Sequence, residues 1–153
     1  MNIKPSNLLV SGIINPAITL KFTLKQWDLF IRQARRSGVL ARFSYMLEEK
    51  ELLEKVPKEA LIHIKSSQTY AKQMAISLQW EIQCIQKVFD QLELPLVFLK
   101  GTAYTVAHNV VAAGRFFSDV DILVPEDRIV EVERALIHGG WKSTHLDAYD
   151  QRF

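Results

Sequence analysis

The sequence contains one cysteine and no long apolar segment. Cys84 alone excludes an intramolecular disulfide framework and a CxxC metal site. No apolar stretch approaches the roughly 20 residues that a helix needs to cross a bilayer. The apolar patch at residues 8–10 is soon interrupted by Gly12 and Pro16, which argues against a signal-peptide core. We therefore expect a cytoplasmic protein.

The chain also lacks an excess of charge of either sign. Its 19 basic and 17 acidic residues give a net charge of +2 with the histidines neutral, which is too small to indicate nucleic acid or an anionic membrane as the partner. Hydrophobic residues make up 48% and charged residues 24% of the 153 positions. These values are typical of a globular protein and exclude disordered, collagen-like and low-complexity classes.

Several common catalytic motifs are missing. The four histidines show no HExxH spacing and have no cysteine partners, so a zinc site is not expected. There is no GxSxG nucleophile elbow and no GxxxxGK[ST] phosphate-binding loop. Any chemistry must therefore depend on other features.

Residues 1–94 are predicted to form a helical region. Thr23-Leu24-Lys25-Gln26 has the pattern of a capping box, and Gly38 marks the end of the helix that follows. A second helix is predicted from Val39 to Leu53, and Pro57 is expected in the first turn of a third helix.

The third helix is predicted to be the longest element. Apolar residues recur every seven positions along it, at Ala71, Leu78, Ile85 and Leu92. This stripe suits a coiled-coil partner or, as its short extent favours, packing within its own domain. Cys84 lies near the stripe and is interpreted as a packed side chain rather than a reactive thiol.

The pattern changes at Pro95, so a second region is predicted over residues 95–153. Its expected elements are a strand at 96–99, a helix at 103–111, a strand at 119–124, a helix at 125–137 and a strand that starts at Trp141. The predicted fold is α+β and mostly helical, with the N-terminal helices packed on a β-α-β-α-β core.

The junction Lys100-Gly101-Thr102 is the first feature that could carry chemistry. Glycine allows a ligand to approach the backbone closely, and a helix start offers free N–H groups that favour phosphate. Thr102 adds a hydroxyl and Lys100 a positive charge. The same pattern also occurs in ordinary strand-to-helix turns.

Asp119-Val120-Asp121 is the second such feature. On a strand, residues i and i+2 point to one face with their Cα atoms about 7 Å apart. The two carboxylates can then converge on a hard cation such as Mg²⁺. The alternative is a pair of surface acids that are solvated or paired with Arg115 or Arg128.

A family resemblance links the two features. The segments Leu99–Ala103, Gly114-Arg115 and Ser118–Val124 together resemble the polymerase-β-type nucleotidyltransferase superfamily. The resemblance is closest to its uncharacterised bacterial branch, which carries a Lys-Gly turn and an Arg…Asp-x-Asp-Leu-Val block. It covers about Leu96 to Trp141, and the helical region resembles only weakly the variable segments that precede this core.

The resemblance implies an activity and a site. Asp119 and Asp121 would be the catalytic carboxylates and the metal ligands, with Mg²⁺ or Mn²⁺ as the cofactor. The nucleotide-binding residues implied are Lys100, Gly101, Thr102 and Arg115. The reaction would transfer a nucleoside monophosphate from an NTP to an acceptor hydroxyl and release pyrophosphate. Neither the acceptor nor the base is indicated by the sequence.

The sequence departs from the family pattern in two places. Thr102 stands where serine is usual and keeps the hydroxyl. The family's third carboxylate lies on a later strand, whereas the acids after Trp141 are Asp147 and Asp150, which lack a flanking strand pattern. We therefore expect a truncated core that binds Mg–nucleotide weakly and transfers poorly or not at all. An open sheet edge or the long helix would offer a surface for a homodimer.

Two other hypotheses stay open at this point. The chain could be a non-catalytic remnant or fragment that acts as a nucleotide-binding, metal-binding or protein-interaction module. It could also be a helical scaffold in which the Asp-x-Asp pair has no role. Magnesium-dependent nucleotide binding would exclude the scaffold, and transfer activity would separate the enzyme from the remnant.

Overall fold

A computed structural model describes residues 7–117 and 119–142. In these ranges the chain is mostly helical with one small antiparallel sheet, in agreement with the predicted α+β class. The helices are α1 (Leu8–Ile14), α2 (Leu24–Arg36), α3 (Leu40–Glu49), α4 (Lys58–Gln91), α5 (Lys100–Val106) and α6 (Ile129–His138). The strands are β1 (Val97–Phe98) and β2 (Ile122–Leu123). Short 3-10 turns occupy Pro16–Lys21, Leu53–Lys55, Val110–Ala112 and Glu126–Arg128.

Helix α2 begins and ends where its sequence signals predict. The Thr23 N–H donates to Gln26 Oε1 at 2.9 Å, and the Gln26 N–H donates to Thr23 Oγ1 at 3.3 Å, which completes the capping box. At the other end Gly38 adopts a φ of +67°. The Val39 N–H then bonds back to the Ala34 carbonyl, which closes a Schellman motif.

The predicted end of the second helix is wrong. Helix α3 ends at Glu49 rather than near Leu53, because Glu51 turns the chain with a φ of +54°. The Leu52 N–H bonds to the Leu47 carbonyl at 2.8 Å, so this end is also a Schellman motif. Glycine or asparagine is usual at the left-handed position of such a motif. Because Glu51 occupies it here, the turn could not be predicted from the sequence. Pro57 is the residue immediately before α4 rather than part of its first turn.

Helix α4 has 34 residues and joins two hydrophobic clusters. Near its start it packs against α2 and α3, and near its end it packs against α6. Ala71, Leu78 and Ile85 of the predicted stripe are buried, so the stripe is covered by the chain itself. Among the residues described, no helix combines the length and the apolar character that a membrane span requires.

The sheet is shorter than predicted. Val97 lies opposite Leu123 and Phe98 opposite Ile122. The Leu99 N–H donates to the Asp121 carbonyl at 2.9 Å, which continues this pairing by one bond. The segment from Asp119 to Asp121 thus runs beside the end of β1, although it is not itself a strand.

The helices of the second region also differ from the prediction at their ends. Helix α5 begins at Lys100 and not at Ala103, so Lys100-Gly101-Thr102 forms its first turn. After Pro125 a 3-10 turn precedes α6, and Gly140 follows the helix with a φ of +104°.

The third predicted strand is not seen in the part of the chain that is described. Trp141 and Lys142 belong to no strand. The rest of this predicted strand, together with Asp147 and Asp150, lies outside the described residues.

Candidate functional site

The candidate site forms where the end of β1 meets the segment that leads into β2. Because the Leu99 N–H is bonded to the Asp121 carbonyl, Asp121 lies directly beside the start of α5. The Lys100 Nζ donates to Asp121 Oδ1 at 2.9 Å. Main-chain pairing and one ion pair therefore hold the Asp-x-Asp segment against the Lys-Gly turn.

Five of the six predicted site residues line one small cavity of about 140 Å³. They are Lys100, Gly101, Arg115, Asp119 and Asp121. The rings of Phe116 and Phe117 form the rest of the described lining. Two cationic and two anionic side chains, from residues 100 and 115–121, thus share one surface.

Both carboxylates act on the same ammonium group. The hydrogen bond and the attraction of Asp121 raise the pKa of Lys100 above its ordinary value of 10.5, and Asp119 adds a weaker attraction. The Lys100 side chain is 71% exposed, so water screens this pair and its contribution to stability is small. Its structural effect is to orient the Asp121 carboxylate.

The backbone at Lys100 is unusual. Its φ is +49°, in the left-handed region that L-residues other than glycine, asparagine and aspartate seldom adopt. Such conformations cost energy and cluster at functional sites. The same backbone region is occupied by Glu51, Glu93 and His108.

A side chain at position 101 would be in tight contact with the ring of Phe117. A Cβ added there would lie 3.0 Å from the ring of Phe117 and 3.5 Å from Arg115 Nε. The absence of a side chain therefore lets Phe117 and Arg115 approach the first turn of α5, and so shapes the cavity.

Thr102 is the one predicted site residue that does not line the cavity. Its residue is 1% exposed, and its Oγ1 has no hydrogen-bond partner among the described residues. The position follows from the early start of α5, which turns the third residue of the helix towards the interior. A phosphate contact through the Thr102 hydroxyl remains a prediction.

Asp119 and Asp121 are carboxylates that could hold a metal ion at this cavity. Mg²⁺ is usually held by one or two protein carboxylates together with waters and substrate phosphates, and Asp119 and Asp121 supply such oxygen atoms on one cavity. Within residues 7–117 and 119–142, no group of three His, Cys, Asp or Glu side chains could hold a metal ion. A hard cation held by these two carboxylates would need further ligands, such as waters or phosphate oxygens.

A larger cleft adjoins this cavity and was not predicted from the sequence. It has a volume of about 650 Å³ and lies between α4 and the segment leading into β2. Phe117 and Asp119 line both the cleft and the small cavity. Trp141 and Glu81 lie on the cleft, and the Trp141 Nε1 donates to Glu81 Oε1 at 2.6 Å. The apolar stripe on α4 predicted that this face of the helix is packed against other residues, but it did not predict a cleft beside it.

A nucleotidyltransferase-like domain is the class that this arrangement fits, because carboxylates for a metal and cations for phosphate meet at a strand-to-helix turn. The comparison with known families makes this specific. The sequence model of the family described as "Uncharacterised nucleotidyltransferase" matches residues 23–153. The chain therefore belongs to the uncharacterised nucleotidyltransferase family. No curated protein and no solved structure matches it.

The extent of the family match changes the view of the helical region. The resemblance seen in the sequence began at about Leu96, whereas the family match starts at Thr23 and includes α2, α3 and α4. The family match therefore includes these helices as well as the second region.

Proposed function

We propose that the chain transfers a nucleoside monophosphate from an NTP to an acceptor hydroxyl in a magnesium-dependent reaction. One observation carries the proposal: Lys100 lines a single cavity together with Arg115, Asp119 and Asp121, which lie 15 to 21 positions further along the chain. Membership of the nucleotidyltransferase family supports the class of reaction.

Asp119 and Asp121 are the residues that would hold Mg²⁺ or Mn²⁺. When bound, the metal would supply charge compensation for the phosphates and for the oxygen atoms that attack and depart. The ion pair between Lys100 Nζ and Asp121 Oδ1 keeps one of the two carboxylates oriented before nucleotide binds.

Lys100 and Arg115 are the residues that would bind the triphosphate. Both line the cavity, and charge-assisted hydrogen bonds from lysine and arginine to phosphate are about twice as strong as neutral ones. Gly101 keeps the surface between them free of a side chain. The protein contribution to catalysis would be positioning and charge compensation.

A non-catalytic nucleotide-binding or metal-binding module is the second candidate. It is favoured by the lack, among the residues described, of a third carboxylate, histidine or cysteine that would complete a metal site. Such a module would bind Mg–nucleotide without releasing pyrophosphate.

The test is nucleotide binding and transfer with α-labelled NTPs and Mg²⁺ or Mn²⁺, comparing the chain with Asp121→Asn. Removing one electrostatic group of an active site typically lowers the rate by ~10²–10³, and we expect that loss in any pyrophosphate release. Asp28→Asn is the control, because Asp28 lies on α2 and pairs only with exposed Arg32.

Three outcomes are distinguishable. Metal-dependent binding and transfer that Asp121→Asn abolishes support the enzyme. Metal-dependent binding without transfer supports the module. Binding that Asp121→Asn leaves unchanged contradicts both.

A further inference from the structure

The large cleft and the small cavity differ in chemical character. The small cavity carries two bases, Lys100 and Arg115, beside the carboxylates of Asp119 and Asp121. The described lining of the cleft is mainly apolar, with Leu78 and Ile85 of α4 on one side and Ile122 of β2 on another. Because Phe117 and Asp119 line both spaces, a molecule in the cleft can reach Asp119 without entering the small cavity.

The cleft is suited to a small molecule by size. Its volume of about 650 Å³ lies within the roughly 300–1,000 Å³ that is usual for small-molecule sites. Apolar walls with a few polar groups are also usual for such sites. The polar side chains on the described lining are Ser77, Glu81 and Asp119.

The charge of the cleft selects among ligands. Glu81 and Asp119 are acidic, and no lysine or arginine is found on the part of the lining that the structure describes. A phosphate or carboxylate would be repelled here, whereas a cationic or neutral group would be accepted. The triphosphate is therefore expected in the small cavity, where Lys100 and Arg115 can bind it, and a different molecule in the cleft, whose described lining has no base.

We propose that this cleft is the acceptor subsite and that it takes a small hydroxyl compound with an aromatic or aliphatic body and a neutral or positively charged end. The proposal rests on the proposed transferase function. In the reaction the acceptor hydroxyl oxygen forms a bond to the α-phosphorus, and the bond from that phosphorus to the bridging oxygen breaks. Pyrophosphate leaves with the electron pair, and the hydroxyl proton passes to water.

The experiment uses two probes that share a phenol and differ in charge. Tyramine is cationic and 4-hydroxyphenylacetate is anionic. The full chain is labelled with 5-fluorotryptophan, and the signal of Trp141, which lines the cleft, is assigned with Trp141→Phe. We expect tyramine to shift the Trp141 signal and to bind at least about tenfold more tightly than the anionic probe.

Two variants localise the binding. Met74→Phe narrows the cleft from α4 and should weaken tyramine binding at least about tenfold, whereas Ile76→Phe, on a residue that is 67% exposed, should have no effect. Glu81→Gln removes the charge but keeps an oxygen that can accept from Trp141 Nε1. It should remove most of the preference for the cationic probe while the phenol still binds.

The result can overturn the proposal without affecting the proposed function. Tyramine that fails to shift Trp141, or that binds equally to the Met74→Phe and Ile76→Phe variants, contradicts the acceptor subsite. A Mg–nucleotide that shifts Trp141 and is blocked by Met74→Phe would instead identify the cleft as a nucleobase site. In contrast, the transferase assignment itself is contradicted by nucleotide binding that Asp121→Asn leaves unchanged or by metal-dependent binding without transfer, both measured separately with labelled NTP.

Discussion

The two ends of α4 are packed very differently. At its first end Trp27, Phe30 and Phe43 are completely or almost completely buried, and the ring centroids of Phe30 and Phe43 are 4.7 Å apart. At its second end the fully buried cluster consists of Ile85, Phe89 and Val132, surrounded by half-buried neighbours. The first region is a closed core, whereas the second leaves the cavity and the cleft open. The difference indicates that the first region supplies stability and the second supplies binding surface.

The segment 110–116 contacts α3 and α4 beside the candidate site, and we call this contact the seam between the two regions. A Cβ added to Gly114 would lie 2.5 Å from the backbone nitrogen of Arg42. Arg42 Nη1 donates to the Val110 carbonyl at 3.3 Å, and the rings of Tyr70 and Phe116 are 5.4 Å apart. The segment that carries Arg115 thus lies on α3 and α4. A rigid support of this kind is what a preorganised site needs, and it explains why the family match includes the helices.

The largest expected effect tests the contrast between the two clusters. Ile64 and Ile85 are both on α4, at 0% and 5% exposure in the first and second cluster. We expect Ile64→Ala to lower the free energy of unfolding by about 4 kcal/mol and Ile85→Ala by about 2 kcal/mol, because the looser cluster can collapse around a smaller side chain. Chemical denaturation measures both. Equal losses would contradict the difference in packing.

The next effect tests the seam. Gly114 has a φ of +73° and touches the α3 backbone, whereas Gly140 has a φ of +104° and nothing near its missing Cβ. Gly114→Ala should therefore cost about 3 kcal/mol, from both strain and collision, and Gly140→Ala about 1 kcal/mol, from strain alone. Thermal and chemical unfolding of both variants provide the measurement. A Gly114→Ala protein as stable as Gly140→Ala would mean that the seam is loose.

A smaller effect concerns ligand binding in the open region. Arg115→Gln should weaken Mg–nucleotide binding by roughly tenfold, because one charge-assisted hydrogen bond to phosphate is lost. Arg36→Gln, at the exposed end of α2, is the matched control and should bind normally. Calorimetric titration with the same nucleotide compares the two. Similar affinities would exclude Arg115 from the phosphate site.

The smallest effect concerns the ion pair at the site. The pKa of Lys100 is raised above 10.5 by Asp121, so the stability contributed by its protonated form is present below 10.5 and is lost only as the pH rises through the higher folded value. The difference in melting temperature between the unmodified chain and Lys100→Met should thus stay constant from about pH 6 to 9. Differential scanning calorimetry measures it. If the difference in melting temperature changed between pH 6 and 9, a group other than Lys100 would have to titrate in this range and affect the ion pair.

The sequence by itself determined the elements whose signals are local. Three such signals are the capping box at Thr23, the glycine end at Gly38 and the apolar stripe of α4. Each depends on residues that are close together along the chain, so it can be recognised from the sequence alone. The Lys-Gly turn and the Asp-x-Asp pair were found in the same way, and the structure brings them to one cavity.

Only the tertiary structure decided how these elements meet. It ended α3 at Glu49, two residues before the turn at Glu51. It also started α5 at Lys100 and so buried Thr102. It also paired Trp141 with Glu81, 60 positions apart, on the lining of a cleft that no sequence motif predicts. The physical reason is that a cavity is the space left between surfaces distant in sequence. Its volume, lining and charge exist only when packing has fixed those surfaces relative to each other.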